Sequence, residues 1–71
     1  MNIFINGQPF DTCDLPEQNI RQALTLFLDE EQQKQPFAVA LNGDFVGKPD
    51  YDSIQVNQGD SLDVLFPIQG G

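Results

Sequence analysis

Asn19-Ile20-Arg21-Gln22-Ala23-Leu24-Thr25-Leu26-Phe27-Leu28 decides the fold. Ile20, Ala23, Leu24, Phe27 and Leu28 recur at the spacing of one helical face, so they form a single apolar stripe. Asn19 is placed to cap this helix, with Gln22 in the reciprocal position of a capping box. Buried against a partner, the larger side chains of the stripe contribute about 1.5 to 3 kcal/mol each. The helix therefore needs one broad apolar surface to lie on, while Leu26 falls off the stripe and is expected to stay partly exposed.

Both flanks of the helix supply strands. Met1, Ile3 and Ile5 alternate with Asn2, Phe4 and Asn6, the period of a strand with one face on a core. Asn6-Gly7 follows, a pair suited to the positive φ angles of a type I′ turn, and predicts a hairpin with a second strand from Gln8 to about Asp14. In that strand Phe10 and Thr12 share one side and Asp11 and Cys13 the other, with Pro9 tolerated near the turn or on an edge. Beyond the helix, the polar run Asp29 to Gln35 reads as a frayed helix end and a solvated loop, closed by Pro36. Acidic residues after a helix C-terminus oppose its dipole, so the helix is expected to end early.

Phe37 to Leu41 reads as a third strand, and Asn42-Gly43 turns it into a fourth at Asp44-Phe45-Val46. Gly47 to Ser53 has the composition of a loop, which Tyr51 is expected to anchor. Ile54 and Val56 form a short extended piece, and Asn57-Gln58-Gly59-Asp60 a turn. Ser61 to Phe66 is the last strand, with Leu62, Val64 and Phe66 directed inward. Two hairpins around one amphipathic helix, with a further strand, give an α+β domain in which the helix crosses one face of a mixed sheet. The expected organisation is a domain over residues 1–66 and a flexible tail over 67–71.

Composition narrows the function. Three basic residues, Arg21, Lys34 and Lys48, stand against eleven acidic ones, a formal net charge of -8. Such a surface repels phosphate backbones and anionic lipid heads, so neither nucleic acid nor membrane is an expected partner, whereas a basic protein surface is. Cys13 is the only cysteine and there is no histidine, so no internal disulfide and no ordinary zinc site is expected. A lone thiol without a leader ahead of the first strand fits a reducing, cytoplasmic setting. Cys13 has no histidine to activate it and is expected to behave as a small apolar residue. Asp50 and Asp52 do not continue into a calcium-loop spacing and read as solvated acids. No internal catalytic residue stands out.

Two features remain. If Ile3, Ile5, Val39, Leu41, Leu62, Val64 and Phe66 face the helix, then Phe4, Ala38, Ala40 and Leu65 face outward, with Ile68 just beyond. A helix covers only one side of a sheet, so these four residues are candidates for partner binding. The chain then ends Pro67-Ile68-Gln69-Gly70-Gly71. A terminal carboxylate has a pKa of about 3.3 to 3.7, so it is ionised at neutral pH and can attack an activated phosphate. Paired glycines pass through a narrow channel without a Cβ to obstruct them. Fully extended, five residues reach on the order of 17 Å, enough for Ile68, Gln69 and Gly70 to thread Gly71 into another protein's active site.

Over its whole length the sequence resembles the ThiS family, the small ubiquitin-like sulfur carriers of thiamine biosynthesis. The resemblance is carried by Met1-Asn2-Ile3-Phe4-Ile5-Asn6-Gly7, Ala38-Val39-Ala40-Leu41-Asn42-Gly43-Asp44-Phe45-Val46, the Gln58-Gly59-Asp60 turn with its following strand, and Gly70-Gly71. It implies a β-grasp fold and a carrier that is a co-substrate rather than an enzyme, with no bound cofactor. A partner adenylyltransferase would use ATP to adenylate the Gly71 carboxylate, and a sulfur-donor protein would lead to a thiocarboxylate. Thiazole synthase would then take up that sulfur. Phe66-Pro67-Ile68 also resembles the tail of the molybdopterin synthase small subunit, while the short length and the Asn-Gly hairpins favour the thiamine branch. A ubiquitin-like modifier and a plain interaction module are the rival classes; only the latter has no use for Gly71.

Overall fold

The computed structural model describes residues 1–67. Two Asn-Gly turns set its frame. Asn6 and Gly7 adopt φ of 51° and 81°, and Asn42 and Gly43 adopt 50° and 90°, the left-handed angles that a type I′ turn requires. The first turn joins β1 (Asn2–Ile5) to β2 (Gln8–Asp11), with Ile5 opposite Gln8 and Ile3 opposite Phe10. The second joins β3 (Ala38–Leu41) to β4 (Asp44–Val46), with Leu41 opposite Asp44 and Ala40 opposite Phe45. The last strand, β5 (Ser61–Leu65), lies between the hairpins, parallel to β1 and antiparallel to β3. The five-stranded sheet has the order β2-β1-β5-β3-β4.

The second strand ends sooner than the expected Asp14. Thr12 still pairs with Met1, but Asp11 accepts the Cys13 N–H at 2.9 Å, and this short side-chain turn bends the chain off the sheet. Cys13 is consequently exposed instead of packing as a small apolar residue. Phe66 also departs from expectation. The strand stops at Leu65, and Phe66, at 37% exposure, rests edge-on against Phe37 at 5.9 Å.

Helix α1 (Ile20–Phe27) starts where predicted, because Asn19 Oδ1 accepts the Gln22 N–H at 2.8 Å. Only that half of the capping box is among the described hydrogen bonds. The backbone beside Asn19 instead forms a bridge to the segment at Gln55, with Ile20 N–H to Ile54 O at 3.0 Å and Val56 N–H to Gln18 O at 2.8 Å. Ile20, Ala23, Leu24 and Leu28 are buried and Phe27 half-buried, packed on Ile3, Ile5, Val39, Leu62 and Val64 of the sheet. The stripe thus forms one wall of the core.

The run after α1 is a helix, not a loop. Asp29 and Gln32 form a complete capping box, at 2.8 and 3.0 Å, that opens α2 (Glu30–Lys34). Acids that oppose the C-terminus of one helix favour the N-terminus of the next, and Glu30 and Glu31 occupy the first turn with Lys34 in the last. None of its residues is buried, so local capping and charge hold it. After a short 3₁₀ turn at Lys48–Asp50, Tyr51 enters the core at 4% exposure. Its ring stacks on Phe37 at 6.5 Å and lies under the Arg21 guanidinium at 5.7 Å. Arg21 also pairs with Asp52, which ties α1 to this loop. Tyr51 is therefore a core residue as well as an anchor.

Candidate functional site

The site is built on β5, the strand that leads toward the chain's last residues. β5 is the third of five strands, paired on both sides, and both hairpin turns hold it with side chains. Asn6 grips its middle: Val64 N–H donates to Asn6 Oδ1 at 2.7 Å, and Asn6 Nδ2 donates to Val64 O at 3.2 Å. Asn42 grips its start, accepting the Ser61 N–H at 2.9 Å and donating to Asp60 at 3.1 Å. The residues that make the turns therefore also fix the strand. Asp60 further holds the preceding turn by accepting the Asn57 N–H at 2.7 Å.

Strand pairing sets what faces away from the helix. Phe4 lies beside Pro9 and Ser61, Ala40 between Phe45 and Asp63, and Ala38 beside Leu65. Phe4 and Leu65 are 41% and 52% exposed, and Ala38 is exposed with them, as their outward placement predicts. Ala40 is corrected: it is only 6% exposed, closed in by the larger Phe45 and Asp63 on either side. The outward apolar residues also split into two parts. Four residue steps along β5 separate the level of Phe4 from Leu65, about 13 Å at 3.3 Å per residue, and Asp63 stands between them.

Phe45 is the residue that sequence reasoning missed. At 74% it is the most exposed large apolar side chain among the described residues. A two-residue turn at Asn42-Gly43 forces the register that sets Phe45 opposite Ala40, so the signal was present in the turn. Nearby, Pro36, Phe37, Ala38, Leu65, Phe66 and Pro67 line a shallow apolar hollow of about 300 Å³. Ile68, Gln69, Gly70 and Gly71, expected to thread and to react, lie outside the described residues.

Away from this face, the Met1 ammonium lies 3.4 Å from Cys13 Sγ and 3.6 Å from Asp11. The hydrogen bond to Cys13 is the main cause that raises the ammonium pKa above its ordinary value. Hydrogen bonds from Cys13, followed by the ammonium charge, hold the Asp11 carboxyl below the usual range. Burial raises the Tyr51 phenol, with Arg21 acting in the opposite direction. Among the described residues no three His, Cys, Asp or Glu side chains gather to hold a metal, and no helix is long and apolar enough to cross a membrane.

The model of the ThiS family matches residues 3–71, a span that includes both Asn-Gly turns, β5 and Gly70-Gly71. The chain belongs to the ThiS family. ThiS-family membership gives it the coarse role of a sulfur carrier in thiamine biosynthesis, on a ubiquitin-like β-grasp fold. A crystal structure of the thiamine biosynthesis protein ThiS from Geobacter metallireducens is similar over the full length of both chains, with a TM-score of 0.75 and 25% identity. A solution structure of a thiamine biosynthesis protein from the same organism has a TM-score of 0.68 and 26% identity, covering 100% of this chain and 88% of that one. No curated protein sequence matches.

Proposed function

We propose that this ThiS-family chain carries sulfur on its last residue and is a co-substrate, not a catalyst. The Gly71 carboxylate attacks the α-phosphorus of ATP in a partner adenylyltransferase, and pyrophosphate leaves. A persulfide sulfur from a donor protein then displaces AMP from the acyl carbon. Thiol reduction of the resulting S–S bond leaves a thiocarboxylate. That terminus donates its sulfur to thiazole formation on thiazole synthase. Adenylation is needed because a carboxylate is a poor acyl donor until its oxygen becomes part of a good leaving group.

The observation that carries this reading is that the family match runs through Gly70-Gly71 while β5, clamped by Asn6 and Asn42, leads the chain toward them. The exposed pair Ala38 and Leu65, with Phe4 and Phe45 on the same face, supports docking of the activating partner there. Residues 67–71 then act as the tether that crosses from this face into the partner's active site. Both similar structures bear thiamine biosynthesis names, which favours that pathway over molybdenum cofactor assembly. The free Cys13 thiol is compatible with a cytoplasmic setting.

The test is intact mass after incubation with ATP, the adenylyltransferase and a sulfur donor. An oxygen-to-sulfur exchange on the fragment containing Gly71 is expected, and none in a chain lacking that residue. An unchanged mass with an active adenylyltransferase refutes the carrier chemistry. Higher-mass lysine conjugates in extract would instead identify a modifier.

A further inference from the structure

This acidic chain places its three basic residues around one aromatic pair. Lys34 ends α2, Lys48 opens the 3₁₀ turn, and Arg21 lies over Tyr51, which stacks on Phe37. Lys34 and Lys48 both line an open groove of about 620 Å³ beside the edge strand β4, with Phe37, Ala38, Phe45 and Tyr51. That volume is in the range of ligand clefts, about 300 to 1,000 Å³. None of the eleven acidic residues lines it, although Asp44 and Asp50 are close in sequence to residues that do. Both lysines are exposed, and neither belongs to a salt bridge among the described residues. On a chain with a net charge of -8, this groove gathers two of the three basic residues beside Phe37, Phe45 and Val46, with Glu30 and Glu31 one helical turn from Lys34.

We infer that the groove, which adjoins the outward sheet face and shares Ala38 and Phe45 with it, takes an extended acidic segment of a partner protein that carries an apolar side chain between its carboxylates. Lys34 and Lys48 come from different elements that line the same groove, so they suit charges spread along a chain. Phe45, with the half-buried Phe37, supplies aromatic surface for the apolar side chain, and the buried Tyr51 backs Phe37 from beneath. The net charge of the carrier repels acidic segments elsewhere, which restricts such a partner to this groove. This site goes beyond the carrier reading and does not depend on the chemistry of Gly71.

The experiment uses the isotope-labelled full chain and, as probe, a dye-labelled peptide of glutamates and aspartates around one phenylalanine. Amide shifts are expected to concentrate at residues 33–38 and 45–51 and to leave Phe4 and Phe10 unmoved. Fluorescence anisotropy should show affinity falling with salt, and about tenfold weaker binding for the Lys34→Glu, Lys48→Glu double variant. The Lys34→Gln, Lys48→Gln variant, which puts no acid in the last turn of α2, should also bind more weakly and should match the parent in circular dichroism, since both side chains are exposed. A chain lacking Gly71 should bind the peptide unchanged, so loss of sulfur chemistry and loss of this site are separable. Shifts scattered over the surface, undiminished binding by the double variant, equal binding of a lysine-rich peptide, or displacement of the peptide by ATP would each overturn the inference.

Discussion

Replacing Asn6 with alanine tests the clamp on β5. Asn6 combines a left-handed φ of 51° with two side-chain hydrogen bonds to Val64, at 2.7 and 3.2 Å. Each lost bond costs about 1 kcal/mol net, and alanine in the left-handed region costs a further 1 to 2, so Asn6→Ala should destabilise by about 3 to 4 kcal/mol. A domain of 71 residues has a total stability of about 4 to 10 kcal/mol, so the effect is a large fraction of it. At roughly 1 kcal/mol per molar urea, the low end for small domains, the unfolding midpoint falls by about 3 M. Asn6→Gly removes the bonds but not the backbone fit and should recover about 1 kcal/mol of the loss. Native-state hydrogen exchange gives a local reading, because the Val64 amide donates directly to Asn6. In both variants that amide should exchange faster than those of β3. An unchanged midpoint, or a Val64 amide as protected as before, would refute the clamp.

Three further outcomes follow from the same geometry. Leu62 is fully buried at the centre of the core, so Leu62→Ala should cost about 2 to 5 kcal/mol and leave little or no folded protein by circular dichroism at 37 °C. The folded state holds the Tyr51 proton above the ordinary phenol value of 10.0, so the unfolded chain ionises first. Stability should therefore fall as pH rises beyond that value, and Tyr51→Phe should flatten the decline in urea midpoints. Tyr51 is the only tyrosine and there is no tryptophan, so phenolate absorbance follows this group alone. Phe45→Ala, at a 74% exposed site, should change stability by less than about 0.5 kcal/mol and yet weaken binding to the activating partner in calorimetry.

The helix stripe and the two hairpins were legible because each rests on a local rule. Ile20, Ala23, Leu24 and Leu28 are buried at helical spacing, and both Asn-Gly pairs take the angles of their turn type. Helix α2 was signalled by Asp29 and Gln32 but lacks an apolar face, so hydrophobic periodicity was silent about it. Tyr51 is a lone aromatic in a loop, and its place in the core depends on Phe37 and Arg21, which are distant in sequence. Burial of Ala40 depends on the sizes of its cross-strand neighbours. The second role of Asn6 and Asn42 was hidden because it exists only once β5 lies between the hairpins, a non-local pairing that no short window encodes.

That pairing bears on the proposed carrier chemistry through geometry. Leu65 belongs both to the exposed face and to the strand that leads into the tail, so a partner bound to this face holds the start of the tether. Capture of the terminus then becomes intramolecular, at an effective concentration that a short link can raise to about millimolar. The gain depends on a fixed starting point. If β5 loosened at Val64, the origin of the tail would spread in space and the partner would lose part of that concentration without losing any surface contact. Asn6→Gly, which keeps the turn but removes the clamp, should consequently slow sulfur transfer under conditions where it remains folded and its affinity for the activating partner is unchanged. Equal rates of thiocarboxylate formation by the parent and this variant, measured by intact mass over time, would show that the rigidity of β5 contributes nothing to delivery.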